Sequence, residues 1–202
     1  LPVAARAASL RRIDAALRRI ATAVTHGIPR AEVTPGTTRG EEHITKLLVR
    51  AAGVQIKIEV TPVLRGCVYE PAMMRVSPTV EDQFGFAETP VVSFADLYGG
   101  KLVAALDRQH PRDLFDVQDL LANEGISDEL RRAFIVYLIS HDRQIAEVLS
   151  PTRLDVAAEF ERGFSGMTER PVTVDELLQA REDLIAEIVI KMPLDHRRFL
   201  LA

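Results

Sequence analysis

The chain has 202 residues, 47% of them hydrophobic and 27% charged, with a formal net charge of −4 and a mean hydropathy close to zero. These proportions belong to an ordinary globular protein and exclude a disordered chain, a collagen-like repeat and a disulfide scaffold, the last because Cys67 stands alone. The length predicts one domain or two modules with a real core, and there is no run of about 18 apolar residues, so no membrane-spanning helix is expected.

A lone cysteine fits a reducing, cytoplasmic setting. The acidic balance gives no global field toward DNA or an anionic membrane, so neither is an expected partner. The basic residues are nearly all arginine, with lysine only at positions 46, 57, 101 and 191, and of these only Lys57 and Lys101 stand beside residues that could form a site.

In chain order, Leu10, Ile13, Leu17, Ile20 and Val24 recur at alternating spacings of three and four, with Arg11, Arg12, Arg18 and Arg19 between them. This predicts an amphipathic helix over 4–24 with one buried stripe. A breaker-rich stretch follows through His26-Gly27-Ile28-Pro29 and Thr34-Pro35-Gly36. The pattern then changes to period two and predicts a hairpin of strands 43–51 and 54–63 joined at Ala52-Gly53. In its second strand Gln55, Lys57, Glu59 and Thr61 share one face, and Val54, Ile56, Ile58 and Val60 fill the core from the other.

Residues 66–92 read as a Gly- and Pro-rich connector with one short strand, Met74 to Ser77. Ser93 is a good N-cap for a helix carrying Phe94, Leu97, Leu102, Ala105 and Leu106. Pro111 breaks the chain before a second helix from Arg112 to Asn123, which ends at Gly125. Ser127 caps a third helix to Ser140, and Leu154 to Phe164 reads as helical. Thr173 with Glu176 makes a capping box for a helix to Lys191 that Pro193 ends. A short helix closes the chain at Leu194 to Leu201. The organisation predicted is α+β, with a sheet-bearing module over 1–90 and a helical module over 91–202.

The densest polar group lies at the helix-to-helix corner, where Lys101 is followed by Asp107, Arg108, His110, Arg112, Asp113 and Asp116. A proline corner brings Lys101 near the start of the second helix, where Asp113 and Asp116 share a face with Asp119 one step further along. Lysine suits a phosphate and carboxylates suit Mg²⁺, so the set resembles part of a nucleotide site. The competing reading is structural: an acid at a helix N-terminus favours the dipole, and Arg108 or Arg112 pairs with Asp113 or Asp116. A second group is Lys57 with Glu59 on one strand face, for which an exposed cross-strand pair is the plainer explanation. No zinc spacing, Walker-type loop or nucleophile triad is convincing, and Gly99-Gly100 permits close helix packing or backbone approach to a ligand.

The run from Ser93 to Asp116, with Lys101 on its helix followed by Arg112-Asp113 and Asp116, resembles the AbiEii/AbiGii toxin family of nucleotidyltransferases, and Ile56-Lys57-Ile58-Glu59-Val60 is similar to that family's strand motif of lysine and acid. The resemblance implies a DNA polymerase β-like fold, here a small mixed or antiparallel sheet with an N-terminal helix followed by a helical region. It implies a bacterial toxin of a toxin–antitoxin or phage-defence system that transfers a nucleotide from an NTP to a tRNA. Mg²⁺ held by carboxylates would neutralise the triphosphate.

Carried onto this sequence, the resemblance gives the triphosphate to Lys101 and Arg108, with Lys57 facing the nucleotide. Asp113 becomes the catalytic acid beside Lys101, supported by Asp116 and Arg112, and Glu59 a metal ligand. The family's Gly-Ser and Asp-x-Asp pair is not found: Ser9 has no glycine before it, and Asp14 is isolated. Leu1-Pro2-Val3 resembles the sequence that follows that motif, so the expectation is a chain without its first metal-binding strand and inactive as it stands. The alternative expectation is a non-catalytic module that binds a cognate antitoxin or itself, because a missing strand leaves a sheet edge open.

Overall fold

The computed structural model describes residues 6–37, 43–60 and 66–202. The chain forms two compact units, Leu1–Gly66 and Cys67–Ala202.

In the first unit, helix α1 (Arg6–Gly27) precedes a three-stranded antiparallel sheet of β1 (Glu32–Thr37), β2 (Ile44–Ala51) and β3 (Val54–Glu59), with β2 in the centre. Ala52 and Gly53 both take positive φ, 49° and 78°, which is the twist a two-residue hairpin needs between β2 and β3. The expected hairpin is present; the end of its second strand, 61–63, lies outside the described residues. Strand β1 is a correction to the breaker-rich reading of Thr34-Pro35-Gly36. These residues pair with Leu48, Leu47 and Lys46, and a proline is tolerated because β1 is an edge strand. Gly36 leaves room for the Lys46 side chain that crosses it; a Cβ would lie 2.6 Å from Lys46 Cε, and the lysine would have to shift.

Leu17 of α1 packs on Ile44 and Leu47, with Ile13, Ala21, Val33, Ile58 and Val60 around them. Asp14, isolated in sequence, accepts the Ile44 N–H at 2.9 Å and pairs with Arg18, so it docks the helix on the sheet. Arg18 holds its carboxyl below the ordinary range, and the Ile44 bond adds to this. The buried stripe of α1 is shorter than its periodicity predicts. Ile20 is 38% exposed, and on β3 Val54 and Ile56 stay 59% and 57% exposed instead of filling the core. The reason is placement: α1 lies along β2 and β1.

The second unit begins with a two-stranded ribbon, β4 (Ala72–Arg75) and β5 (Glu88–Val91), with α2 (Pro78–Phe84) between them. The strand expected at 74–77 therefore sits two residues earlier and has a partner. Helix α2 and β5 were not foreseen, although Ser77 followed by proline is a helix-start signal and Ser77 does cap Val80. The helices follow as α3 (Phe94–Arg108), α4 (Pro111–Asn123), α5 (Asp128–Ile139), α6 (Ile145–Leu149), α7 (Ala157–Gly163), α8 (Val174–Leu184) and α9 (Leu194–Leu201). The predicted caps at Ser93, Ser127 and Thr173 all form, and the capping box at Thr173 and Glu176 is reciprocal. The span read as helical over 154–164 is helical only from 157, and α6 is an addition.

Leu102, Leu106, Leu114, Leu120, Leu130, Phe134, Leu138, Leu177, Leu184 and Ile188 are fully buried in one continuous core. Helix α3 crosses α5 at Gly99, where a Cβ would meet the Ala133 and Phe134 backbone at 3.1 Å. Gly99 thus serves close helix packing. After Leu184 the helix continues as a π-helical turn, Ile185–Ile190. Buried Arg131 donates to the Glu187 carbonyl at 2.9 Å, satisfying an acceptor that the wider turn leaves over.

Candidate functional site

The α3–α4 corner brings together most of the polar residues singled out from sequence. Lys101 Nζ lies 2.8 Å from Asp116 Oδ2, and Arg108 clasps Asp113 through Nε at 2.6 Å and Nη2 at 2.8 Å. Lys101 and Arg108 are seven residues apart on α3, two turns or about 10 Å along its axis. Their partners occur in reverse order on α4, so the pairs form two rungs between antiparallel neighbours. The Lys101 ammonium also sits 5.1 Å from the Tyr98 ring centroid. Burial pushes the Tyr98 hydroxyl above its ordinary range against the pull of Lys101.

The rungs differ in exposure. The Lys101 and Asp116 side chains are each about a third exposed, whereas Asp113 is 9% exposed beneath an Arg108 that is 64% exposed. Asp113 sits in the first turn of α4, where a carboxylate also complements the helix dipole. Its two hydrogen bonds raise the Arg108 pKa further. Chemically, the corner presents two fixed cations whose carboxylate partners lie behind or beside them. An incoming polyanion can compete for the cations.

Arg112, expected as a support of this set, turns away: Nη2 donates to the Gly163 carbonyl at 3.2 Å and contacts Met167 Sδ at 3.4 Å. Asp119 accepts from Asn123. In the first unit Lys57 and Glu59 do share one strand face, as period two requires, and pair at 2.6 Å. Lys57 holds the Glu59 carboxyl below its ordinary range, and Lys46, its neighbour across β2, adds to this. Both are largely exposed.

A metal ion was implied for these carboxylates, and the donor set does not fit one. Asp113, Asp116 and Glu59 are each closed by a cation, and among the described residues no three His, Cys, Asp or Glu side chains are grouped to hold a metal.

Two buried polar centres escaped the sequence reading. Asp96 accepts from Val68 N at 2.7 Å, Tyr69 N at 3.0 Å, Ser93 Oγ at 2.8 Å and Tyr137 Oη at 3.1 Å. Burial works to raise its pKa, and these four bonds outweigh it and hold the carboxyl below its ordinary value. The signal was available: an acid three residues after the Ser93 cap is the capping-box spacing. Gln109, at φ 49° between α3 and α4, accepts from Arg181 at 3.0 Å and from Leu154 N at 3.1 Å and donates to the Thr152 carbonyl at 2.7 Å. This network fixes the turn from which the Arg108–Asp113 rung hangs; its long sequence separation left no local trace.

The two units together carry small antiparallel sheets and helices, an α+β composition. The chain's fold matches the nucleotidyltransferase toxin MenT4 from Mycobacterium tuberculosis H37Rv with a TM-score of 0.61 at 18% identity, over 92% of this chain and 68% of that one. The family model for the nucleotidyl transferase AbiEii toxin of type IV toxin–antitoxin systems matches residues 3–202, and the chain belongs to that family. No curated protein matches the sequence. Among the described residues no helix is long and apolar enough to cross a membrane.

Proposed function

We propose that this nucleotidyltransferase toxin takes an NTP as donor and an RNA, a tRNA, as acceptor, with a cognate antitoxin as its check. The observation that carries the reading is the pair of rungs at the α3–α4 corner, because Lys101 and Arg108 are the residues to which the family resemblance gives the triphosphate. Lys101 supplies a compact charge to the phosphates and Arg108 a planar fork. Asp116 and Asp113 position those cations; Asp113, doubly bonded by Arg108, contributes to chemistry directly only once that clasp opens. Lys57 and Glu59, to which the family resemblance gives a nucleotide-facing and a metal-ligand role, are a second candidate pair within the first unit. Action in the cytoplasm and in phage defence belongs to the same reading, supported by the family alone.

Two carboxylates of an Asp-x-Asp pair are absent from these 202 residues. These residues should bind NTP through Lys101 and Arg108 and transfer little or none of it.

Calorimetric titration with Mg²⁺-GTP and Mg²⁺-CTP tests the site. Binding weakened tenfold or more in Lys101→Ala and in Arg108→Ala supports it, and binding unchanged in both removes these residues from the site. Label transfer to tRNA above background that vanishes in Asp113→Ala overturns the expected inactivity. The closed state of every candidate carboxylate favours one further reading, a non-catalytic module that binds the antitoxin or a second copy. Absent NTP binding together with stable capture of the antitoxin selects that module.

A further inference from the structure

Helix α1 carries five arginines against the single acid Asp14, in a chain whose net charge is −4. The apolar residues between them are accounted for, since Leu10 and Leu17 are buried. The arginines are not. Asp14 binds Arg18, and among the described residues Arg11, Arg12 and Arg19 have no acidic partner. All four of Arg11, Arg12, Arg18 and Arg19 are exposed.

Their spacing is regular. At about 100° per residue, Arg11 and Arg18 form one row along the helix and Arg12 and Arg19 a second, each pair two turns or about 10 Å apart. Between the rows lie only small or short residues, Ala15 and Thr22 among them. At the C-terminal end they open into a shallow hollow of about 480 Å³ lined by Arg18, Arg19, Thr22, Ala23 and His26.

We propose that this outer face of α1 is an RNA-docking surface that holds the phosphate backbone of the acceptor. The inference rests on the RNA-acceptor reading above and adds the surface that grips the acceptor. The chemistry selects the occupant. Guanidinium forks match phosphate oxygens, and a repeating polyanion, with charges about 3 Å apart along one strand, can engage both rows in several registers. A membrane would need the apolar side of α1, which the sheet covers. A protein partner would seat its anchors in a well-packed, desolvated pocket, and this face offers only a shallow hollow, with alanine and threonine between its arginines. The contact is to backbone alone, so it holds RNA without reading its sequence.

The test compares fluorescence anisotropy of labelled bulk tRNA with the 202-residue protein and with Arg11→Ala/Arg12→Ala/Arg19→Ala. A control of equal charge change, Arg75→Ala/Arg132→Ala/Arg198→Ala, runs beside them. The α1 variant should bind tRNA at least tenfold more weakly, with its log-affinity against log-salt slope reduced by about two to three. The control should fall less than threefold. Circular dichroism and thermal midpoint should not move, because these side chains lie outside the core.

No tRNA binding by the wild-type protein, equal binding by the α1 variant, or an equal loss in the control overturns the proposal. Tighter binding to vesicles of equal phosphatidylserine and phosphatidylcholine, or to polyglutamate, overturns it in favour of a membrane or a protein partner. NTP calorimetry separates this from the function proposed above. Loss of tRNA binding with α1 intact in its NTP response, or the reverse, shows which of the two has failed.

Discussion

The two units bury themselves to very different depths. In the helical unit one core runs through α3, α4, α5 and α8, with Phe134, Leu102, Leu120 and Leu184 fully enclosed. In the sheet unit full enclosure stops at Leu17 and Leu47, and the apolar positions Val54 and Ile56 of β3 stay open. Helix α1 lies along β2 and β1, so an ideal period-two pattern on β3 does not become a filled core. Stability follows buried area rather than pattern. The helical unit should therefore behave as the cooperative body of the protein and the sheet unit as the weaker one.

The largest effect expected is that of Phe134→Ala, which should cost about 3–5 kcal/mol by leaving a cavity where α3 meets α5. Leu17→Ala should cost less, toward the lower part of the roughly 2–5 kcal/mol range for such truncations, because its surroundings can relax. Amide exchange sharpens the comparison: Leu17→Ala should accelerate exchange in α1 and β2 while α5 stays protected. Equal acceleration in both units would show that they unfold as one.

Gly99→Ala tests the α3–α5 contact itself. The new methyl meets backbone atoms at 3.1 Å, so the helices must part, at about 1–3 kcal/mol, read as a lower denaturant midpoint.

Asp96 gives the helical unit a dependence on pH. Its folded pKa lies below the ordinary 3.8, so the stability it adds is complete above that value and is lost as pH falls through the folded one. Asp96→Asn should lower stability at neutral pH by about 1–3 kcal/mol and flatten the acid limb of the midpoint-against-pH curve. At the alkaline end, burial and the bond to Asp96 push Tyr137 up to about 12 from 10.0. Stability tied to Tyr137 is present below pH 10 and lost as pH rises toward 12, and tyrosinate absorbance should show one late-titrating ring. The smallest effect belongs to the open sheet face: Ile56→Thr should stay within about 0.5 kcal/mol of wild type. A larger loss would mean that Ile56 is covered in solution.

Local chemistry made much of the helical unit legible. Ser93, Ser127, Thr173 with Glu176, and Pro111 mark helix starts through bonds within three residues, and they act as predicted. The corner site was legible for the same reason. Lys101, Arg108, Asp113 and Asp116 fall on two helices joined by two residues, so spacing alone brings them close. Arg112 shares that spacing, yet it found Gly163 at the surface, a partner 51 residues away that no local rule reveals.

The sequence by itself determined the α+β composition, the helix caps, the β2–β3 hairpin turn and the gathering of charge at the α3–α4 corner. These are set by backbone bonds and side-chain periods that span a few residues. Tertiary structure alone decided that Pro35 lies in an edge strand, that Ile56 stays open, and that Asp96 and Gln109 become buried hubs. Those outcomes depend on which surfaces meet across long sequence distances, and there the cost of an unpaired buried polar group, not local preference, selects the partner.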